Sequence, residues 1–571
     1  MTASRPDLLL FDADGSPCAR RVKISLIEKG LRFRTHRVDL AGLEQRHPAY
    51  LAVNPNGLVP TLVHNGFSIW ESNVITEYLD DAFPEKPLYP ATAAERAQAK
   101  GWQTTELALA KTFRPLMYSK MLGPMVRLAA SLDEVLDHAK QVTDDPAFLD
   151  WERKVWRLEV LTEEQERLCA VELTGYLDRL EAGLQGRKYL LGESFTTADI
   201  SMFPRVRMYR YVNLPISAAM HPNVRRWLDM LERRPSFKRT QSQAERGMDV
   251  LMRSGAMKLI QHAARHSKAE QTLWQRFVLS LLRPVLRRVL GYAGRASRRT
   301  RGAFPVCQSS PRTAQPAWFP ADTRPTGTVD VLGDPEDIGT VTVLAACRAL
   351  GIAYRLKVVD ASLMEQRSAR YLATCPSGEL PALKDGALVI NGVGAIVDHL
   401  CVRGGDASLI GGDAELRARI RMWHAFDSGM HKEARPFMYR HALRPRMQTR
   451  FADEAEFLAA LPAELSAADR GWIRSVWRDD LRIDMGAAGA QAVMTGKLDK
   501  LEARLADRRY LADSDKPSFA DLALGLRVMR LDRHGFDARE GGRDNIDRWL
   551  IELNEHFDLD GLWSSLEAVA A

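Results

Sequence analysis

The chain is poor in cysteine. Six occur in 571 residues, at positions 18, 169, 307, 347, 375 and 401, and no two are spaced as Cys-x-x-Cys. That excludes a disulfide-stapled scaffold. Long apolar runs are also missing, which excludes a multi-span membrane protein. The opening stretch, MTASRPDLLLFDADG, has no basic segment followed by a long apolar one. It reads as a chain without a secretory signal, at home in a reducing cytoplasm. Charge of one sign is scarce overall: 80 Lys and Arg face 73 Asp and Glu, for a net of +7. On a chain this long such a balance does not argue for nucleic acid. No metal-ligand cluster, phosphate-cradling glycine loop or hydrolase triad stands out, so no metal is expected. What is present is a globular balance, 46% hydrophobic and 27% charged. The length suits three or four domains.

The chain is one unit written twice. Shifted by 321 residues, Gly30 falls on Gly351, and Pro55, Gly57 and Pro60 fall on Pro376, Gly378 and Pro381. Trp102 falls on Trp423, and Arg114, Pro115, Met117 and Tyr118 fall on Arg435, Pro436, Met438 and Tyr439. After one inserted residue the shift becomes 322, and Asp199 meets Asp521 while Trp227 meets Trp549. Each copy opens with mixed α/β signals. In the first, Leu8–Asp12 and Phe33–Asp39 read as strands and Cys18–Lys29 as a helix. Thr61–Val63 and Phe67–Trp70 flank an Asn-Gly turn, and Ser72–Asp81 is again helical. The rest of each copy is helical, with Thr196-x-x-Asp199 as an N-terminal capping box. The expected domains are 1–85, 92–244, a linker 245–326, then 327–404 and 412–571.

Three segments of the first copy carry a family likeness: Gly15-Ser16-Pro17-Cys18 through Val22, Asn54-Pro55-Asn56-Gly57-Leu58-Val59-Pro60, and Trp70-Glu71-Ser72-Asn73. In this order and spacing they resemble the glutathione transferases. The resemblance is to zeta- and theta-like members in the serine motif, and loosely to a bacterial dehalogenase and β-etherase branch. It implies a tandem pair, each with a thioredoxin-like domain followed by a helical domain, and glutathione as the cofactor. Pro60 resembles the family's cis-proline, which would turn the Val59 backbone toward an extended peptide. Glu71 suits the glutamyl ammonium. Ser72, at a helix N-terminus, suits its carboxylate. The plain alternative is that this pair only caps the helix. Leu58 stands where the family often has Lys or Gln.

The resemblance makes Ser16 the catalytic residue, donating a hydrogen bond to the glutathione sulfur and favouring its thiolate. An N-cap role fits the same position, and both can hold. Cys18 is a second catalytic candidate, for mixed-disulfide chemistry, against a plain packing role. Arg114, Met117 and Tyr118 are weak substrate candidates, because they recur in the second copy. That copy has lost the remaining chemistry: Ser16 maps to Asp337, Cys18 to Gly339, and Glu71 and Ser72 to Gly392 and Val393. One active site per chain is expected.

The linker gathers the missing charge. Residues 250–326 hold 14 Lys and Arg against Glu270 and Asp322, a net of +12. Leu273/Trp274, Phe277/Val278, Leu281/Leu282, Val285/Leu286 and Val289/Leu290 recur in pairs every four residues among arginines. This is a basic amphipathic helix with a kink expected at Pro284. Peripheral membrane contact through 270–301 and packing between the two copies, with the arginines in solvent, are both open. The leading expectation is a cytoplasmic enzyme in which the glutathione thiolate attacks a small electrophile, aromatic, halogenated or an ether. It would work as an intramolecular pseudo-dimer or a homodimer. The alternatives are a non-catalytic binding or membrane-associated protein of this fold, and a Cys18-dependent reductase or reductive dehalogenase.

Overall fold

The computed structural model describes residues 6–214, 216–266, 271–290, 327–480 and 487–570. In the first copy, β1 (Leu8–Asp12) leads through a short loop into α1 (Pro17–Glu28), and β2 (Arg34–Arg37) returns parallel to β1. A helical turn, α2 (Pro48–Leu51), precedes the hairpin β3 (Thr61–His64) and β4 (Phe67–Trp70), and α3 (Ser72–Ala82) follows. The sheet order is β2-β1-β3-β4, with β3 antiparallel to both neighbours. This is a thioredoxin-like domain. Alternating Leu8, Leu10 and Leu62 are fully buried, as period-2 patterning requires of a sheet covered by helices.

The helical part begins with α4 (Ala93–Met117), then α5 (Gly123–Ala129), α6 (Leu132–Lys140), α7 (Pro146–Arg157), α8 (Glu163–Gly183) and α9 (Thr197–Val206). It continues through α10 (Pro222–Arg233), α11 (Pro235–Arg239), α12 (Gln243–Arg253), α13 (Ala256–Arg265) and α14 (Leu273–Val289). The helix α14 is assigned unbroken through Pro284. Its sequence-read partners at 270 and 291–301 lie outside the described residues.

The second copy repeats the order. A sheet of β5 (Val329–Gly333), β6 (Tyr354–Val358), β7 (Ala382–Asp385) and β8 (Leu388–Asn391) has the order β6-β5-β7-β8. The helices α15 (Ile338–Ala349), α16 (Ala369–Thr374) and α17 (Val393–Gly404) complete that domain. The helical part runs from α18 (Ala414–Met438) through α19 (Arg444–Arg450), α20 (Glu454–Ala460), α21 (Ala467–Arg478) and α22 (Ala487–Leu505). It ends with α23 (Phe519–Arg533), α24 (Asp544–Phe557) and α25 (Leu559–Ala570). The described residues divide into two compact units, one within 6–89 and 102–290 and the other within 90–101 and 327–570.

The repeat read from letters is also a repeated hydrogen-bond network. At the start of α9, Asp199 accepts from its own cap at Thr196 N–H (3.1 Å), from Leu190 N–H (3.1 Å) and from the Trp227 indole (2.8 Å). At the start of α23, Asp521 accepts from Ser518 N–H (2.8 Å), Leu511 N–H (2.9 Å) and the Trp549 indole (3.1 Å). Glu181 binds Asn223 at the next helix start, and Glu502 binds Asn545 in the same way. A capping carboxylate thus ties one helix start to a tryptophan 28 residues on, in both copies.

Asp199 is fully buried, and burial pushes its carboxyl up to about 6 despite its donors. Between the ordinary value of 3.8 and that pKa, the folded chain holds a proton the unfolded chain has released. The group's contribution to stability is therefore full at low pH and declines as pH rises through about 6. Urea melts from pH 4 to 7 should show that decline, and Asp199→Asn should flatten it. An unchanged slope in the variant would contradict the assignment.

Candidate functional site

The site of the first copy starts where β1 hands over to α1. Ser16 is the N-cap of α1, with extended backbone (φ −76°, ψ 115°), and its Oγ accepts from Ala19 N–H at 3.2 Å. That bond uses an oxygen lone pair and leaves the hydroxyl proton for another acceptor. Capping and donation to a sulfur are thus compatible in one side chain. Pro17 occupies the first helical position, where its missing N–H costs nothing. Cys18 follows in the first turn, half-buried, with Arg205 Nη2 4.0 Å from its Sγ.

The second element is the loop before β3. Its Val59–Pro60 peptide is cis. The loop is held by Tyr50, whose hydroxyl donates to Leu58 C=O at 2.6 Å, and by Asn54, which donates to the same carbonyl at 2.8 Å. Val59 is half-buried, and Leu58 is exposed.

The third element joins β4 to α3. Glu71 has φ +69° and ψ 115°, a region that costs a non-glycine residue of order 1–3 kcal/mol. Its counterpart Gly392 has nearly the same backbone, φ 86° and ψ 120°. The fold therefore imposes this conformation, and only the first copy holds a side chain in it. Burial pushes the Glu71 carboxyl up, while Arg21 and Arg114 pull it down. Ser72 opens α3, and its Oγ accepts from Arg21 Nη1 at 3.0 Å, again leaving its proton unspent.

Beneath Ser72 lies a buried ionic network that sequence reasoning missed. Arg21 is almost fully buried on α1. It reaches Ser72, Asn73 and the Glu106 carboxylate of α4. Glu106 also takes Arg205 Nε of α9 at 3.1 Å. Burial opposes the charges, but the opposite partners outweigh it: Glu106 is held below the usual carboxylate range and Arg21 is raised. Two guanidiniums share the Glu106 carboxylate, and Arg21 also acts on the Glu71 carboxyl beside the N-terminus of α3. The free N–H groups and dipole of that helix start suit an incoming carboxylate.

The substrate-side candidates separate. Arg114, on the last turn of α4, is exposed and influences both Glu71 and Tyr118. Met117 packs against the helical core. Tyr118 makes an edge-on contact with Trp151, with ring centroids 5.0 Å apart, and Tyr439 meets Trp472 in the same way at 5.3 Å. The tyrosine pairing is thus shared framework. Beside Tyr118 stands Glu152 of α7, half-buried, which burial alone pushes up to about 7. It too escaped the sequence reading. The segment carrying it reaches back over the thioredoxin-like domain: His138 of α6 meets Ala41 C=O at 2.7 Å, and Phe148 of α7 lies under Arg46. The internal shift held the missing signal, since Arg21 falls on Thr342 and Glu152 on fully buried Ile473.

In the second copy the same backbone carries other chemistry. Leu380–Pro381 is cis, and Tyr371 holds its loop through Glu379 C=O at 2.6 Å. Asp337 caps α15 by accepting from both Thr340 N–H (2.8 Å) and Thr340 Oγ (3.0 Å). Burial pushes its carboxyl up. A Cβ placed on Gly339 would meet Pro381, Asp337 and Val393 at 2.9–3.0 Å, so no thiol fits where Cys18 sits in the first copy. The ion pair between Asp427 and Arg527 matches Glu106 and Arg205, and among the described residues no second arginine joins it. Among the described residues no group of three or more His, Cys, Asp or Glu can hold a metal.

A thioredoxin-like domain with a cis-proline loop, followed by an all-helical domain, defines the class. Family models describe the rest. The "Glutathione S-transferase, N-terminal domain" matches residues 15–82 and again 340–407, and the "Glutathione S-transferase, C-terminal domain" matches 152–235. Glutathione S-transferase F9 of Arabidopsis thaliana is 30% identical over 229 residues, covering 39% of this chain and 90% of its own length. Protein LigF of Sphingobium sp. is 29% identical over 238 residues, covering 40% and 90%. The crystal structure of beta-etherase LigF from Sphingobium covers 41% of this chain and 98% of its own, at 25% identity and a TM-score of 0.37. The chain belongs to the glutathione S-transferase family.

Glu71→Gly isolates the cost of the site. It should raise stability by about 1 kcal/mol in thermal melts, by relieving backbone strain, and weaken glutathione binding at least tenfold. A loss of stability with unchanged binding would refute the role of this backbone.

Proposed function

We propose that this chain is a glutathione-dependent transferase or lyase with one working site, in residues 1–85 and 92–244. Residues 327–404 and 412–571 form an inert second copy, and 245–326 link the two. Glutathione lies along the Val59 backbone, with its glutamyl carboxylate at Ser72 and the α3 N-terminus and its ammonium at Glu71. Arg21 supports Ser72 from below. The Ser16 hydroxyl donates a hydrogen bond to the sulfur and favours the thiolate, which attacks an electrophilic carbon as its C–O or C–halogen bond breaks and releases a phenolate or halide. The observation that carries this reading is the state of Ser16: its oxygen is spent on Ala19 N–H while its proton is not.

The electrophile is an aromatic ether or halide in this proposal, a choice supported by the likeness to Protein LigF, a beta-etherase. Arg114, Met117 and Tyr118 frame its pocket, and Glu152 is the group most suited to select among substrates, being absent from the second copy. The pairing typical of the family is either between the two copies of one chain or between two chains. A second reading, with Cys18 as a mixed-disulfide nucleophile, draws on the Arg205 guanidinium 4.0 Å from its sulfur.

Two variants separate these readings in a conjugation assay with a chlorinated aromatic. Ser16→Ala should lower kcat/KM by about 10–1000-fold, and Cys18→Ser by less than about threefold. The reverse pattern would establish the Cys18 chemistry. Activity indifferent to both would refute both readings, and no conjugation by the parent chain would leave a binding protein without catalysis.

A further inference from the structure

The paired apolar residues of α14 divide between two faces. Leu286 is fully buried, and Leu279, Leu282 and Leu290 pack against the core of the first helical domain. Arg287 pins that face by donating to Ala129 C=O at 2.8 Å and pairing with Glu134 at 2.7 Å. The opposite members, Leu273, Trp274, Phe277, Leu281, Val285 and Val289, lie in solvent, each between 55% and 82% exposed. They stand three and four residues apart, so they form one stripe along the helix. Trp274 and Phe277 sit together at its start, with ring centroids 5.8 Å apart. Six large apolar side chains in one stripe are not ordinary surface scatter.

Charge identifies the occupant. Arg276, Arg283 and Arg288 are exposed on the same helix. The sequence from 271 to 321 has no acidic residue. An apolar stripe led by Trp and Phe, with Arg288 inside it and Arg276 and Arg283 beyond its Leu273 edge, suits a helix lying in the headgroup region of an anionic bilayer. A nucleic acid would leave the stripe uncovered, and a helix with these charges does not span a membrane. No helix among the described residues is long and apolar enough to cross one. We propose that the outer face of α14 docks the enzyme peripherally on an anionic lipid surface, with Trp274, Phe277, Leu281 and Val285 in the acyl boundary and the arginines at the phosphates.

The test uses the full chain and sedimentation with phosphatidylcholine vesicles, with and without about a third phosphatidylserine. Binding should be at least tenfold stronger to the anionic vesicles. Trp274→Ser with Phe277→Ser should weaken it at least tenfold, with unchanged far-ultraviolet circular dichroism and unchanged conjugation activity. Replacing Arg276, Arg283 and Arg288 by Gln should erase the preference for phosphatidylserine. The proposal is overturned if the chain binds neither vesicle, or if the aromatic double variant binds as well as the parent. It is also overturned if light scattering without lipid shows an oligomer that this double variant dissolves, because the stripe would then be a contact between chains.

Discussion

Glu106 is held from two sides by Arg21 and Arg205, and all three side chains are buried. Removing Glu106 would strand two buried guanidiniums, at a cost of several kcal/mol. The contact fixes α1, α4 and α9 against one another. Those helices also carry the cap at Ser16, the thiol at Cys18 and, through Arg21, the hydroxyl at Ser72. The two short segments that would hold opposite ends of a tripeptide are thereby set at one distance. The second copy keeps one such pair, Arg527 with Asp427. The first copy adds Arg21, which also reaches Ser72 and acts on the Glu71 carboxyl.

The second copy acts as an internal control. It keeps the strand order, the cis-proline loop, the capping carboxylate with its tryptophan and the unusual backbone before the third helix. Each is therefore a demand of the fold. What it lacks is a hydroxyl at the first cap, a side chain at Gly392 and a second buried arginine. Those differences gather at a single place, and the space that a thiol would need is closed by Pro381 and Val393. The fold has been copied while these side chains have not.

Most of this architecture was legible in the letters. Strand periodicity, the Asn-Gly turn, the capping boxes and the constant shift are local or self-referential signals, and they placed the sheets and the helix starts. Ser16 was legible because a cap is a property of one turn. The Arg21–Glu106–Arg205 network was not, since its members lie 85 and 99 residues apart and each alone resembles a solvated helix charge. Glu152 was hidden in the same way: a glutamate on an amphipathic helix signals burial only once its neighbours are known. For α14 the pairing of apolar residues was visible, but which member of each pair faced inward depended on the partner surface. The helix packs one side on the first helical core and exposes apolar residues on the other.

The central claim is that duplication kept two folds and one site. Isothermal titration of the full chain with glutathione tests it most directly. One glutathione per chain, with Ser72→Ala weakening that event, is the result this account requires. Two sites per chain, or one site unaffected by Ser72→Ala, would contradict it.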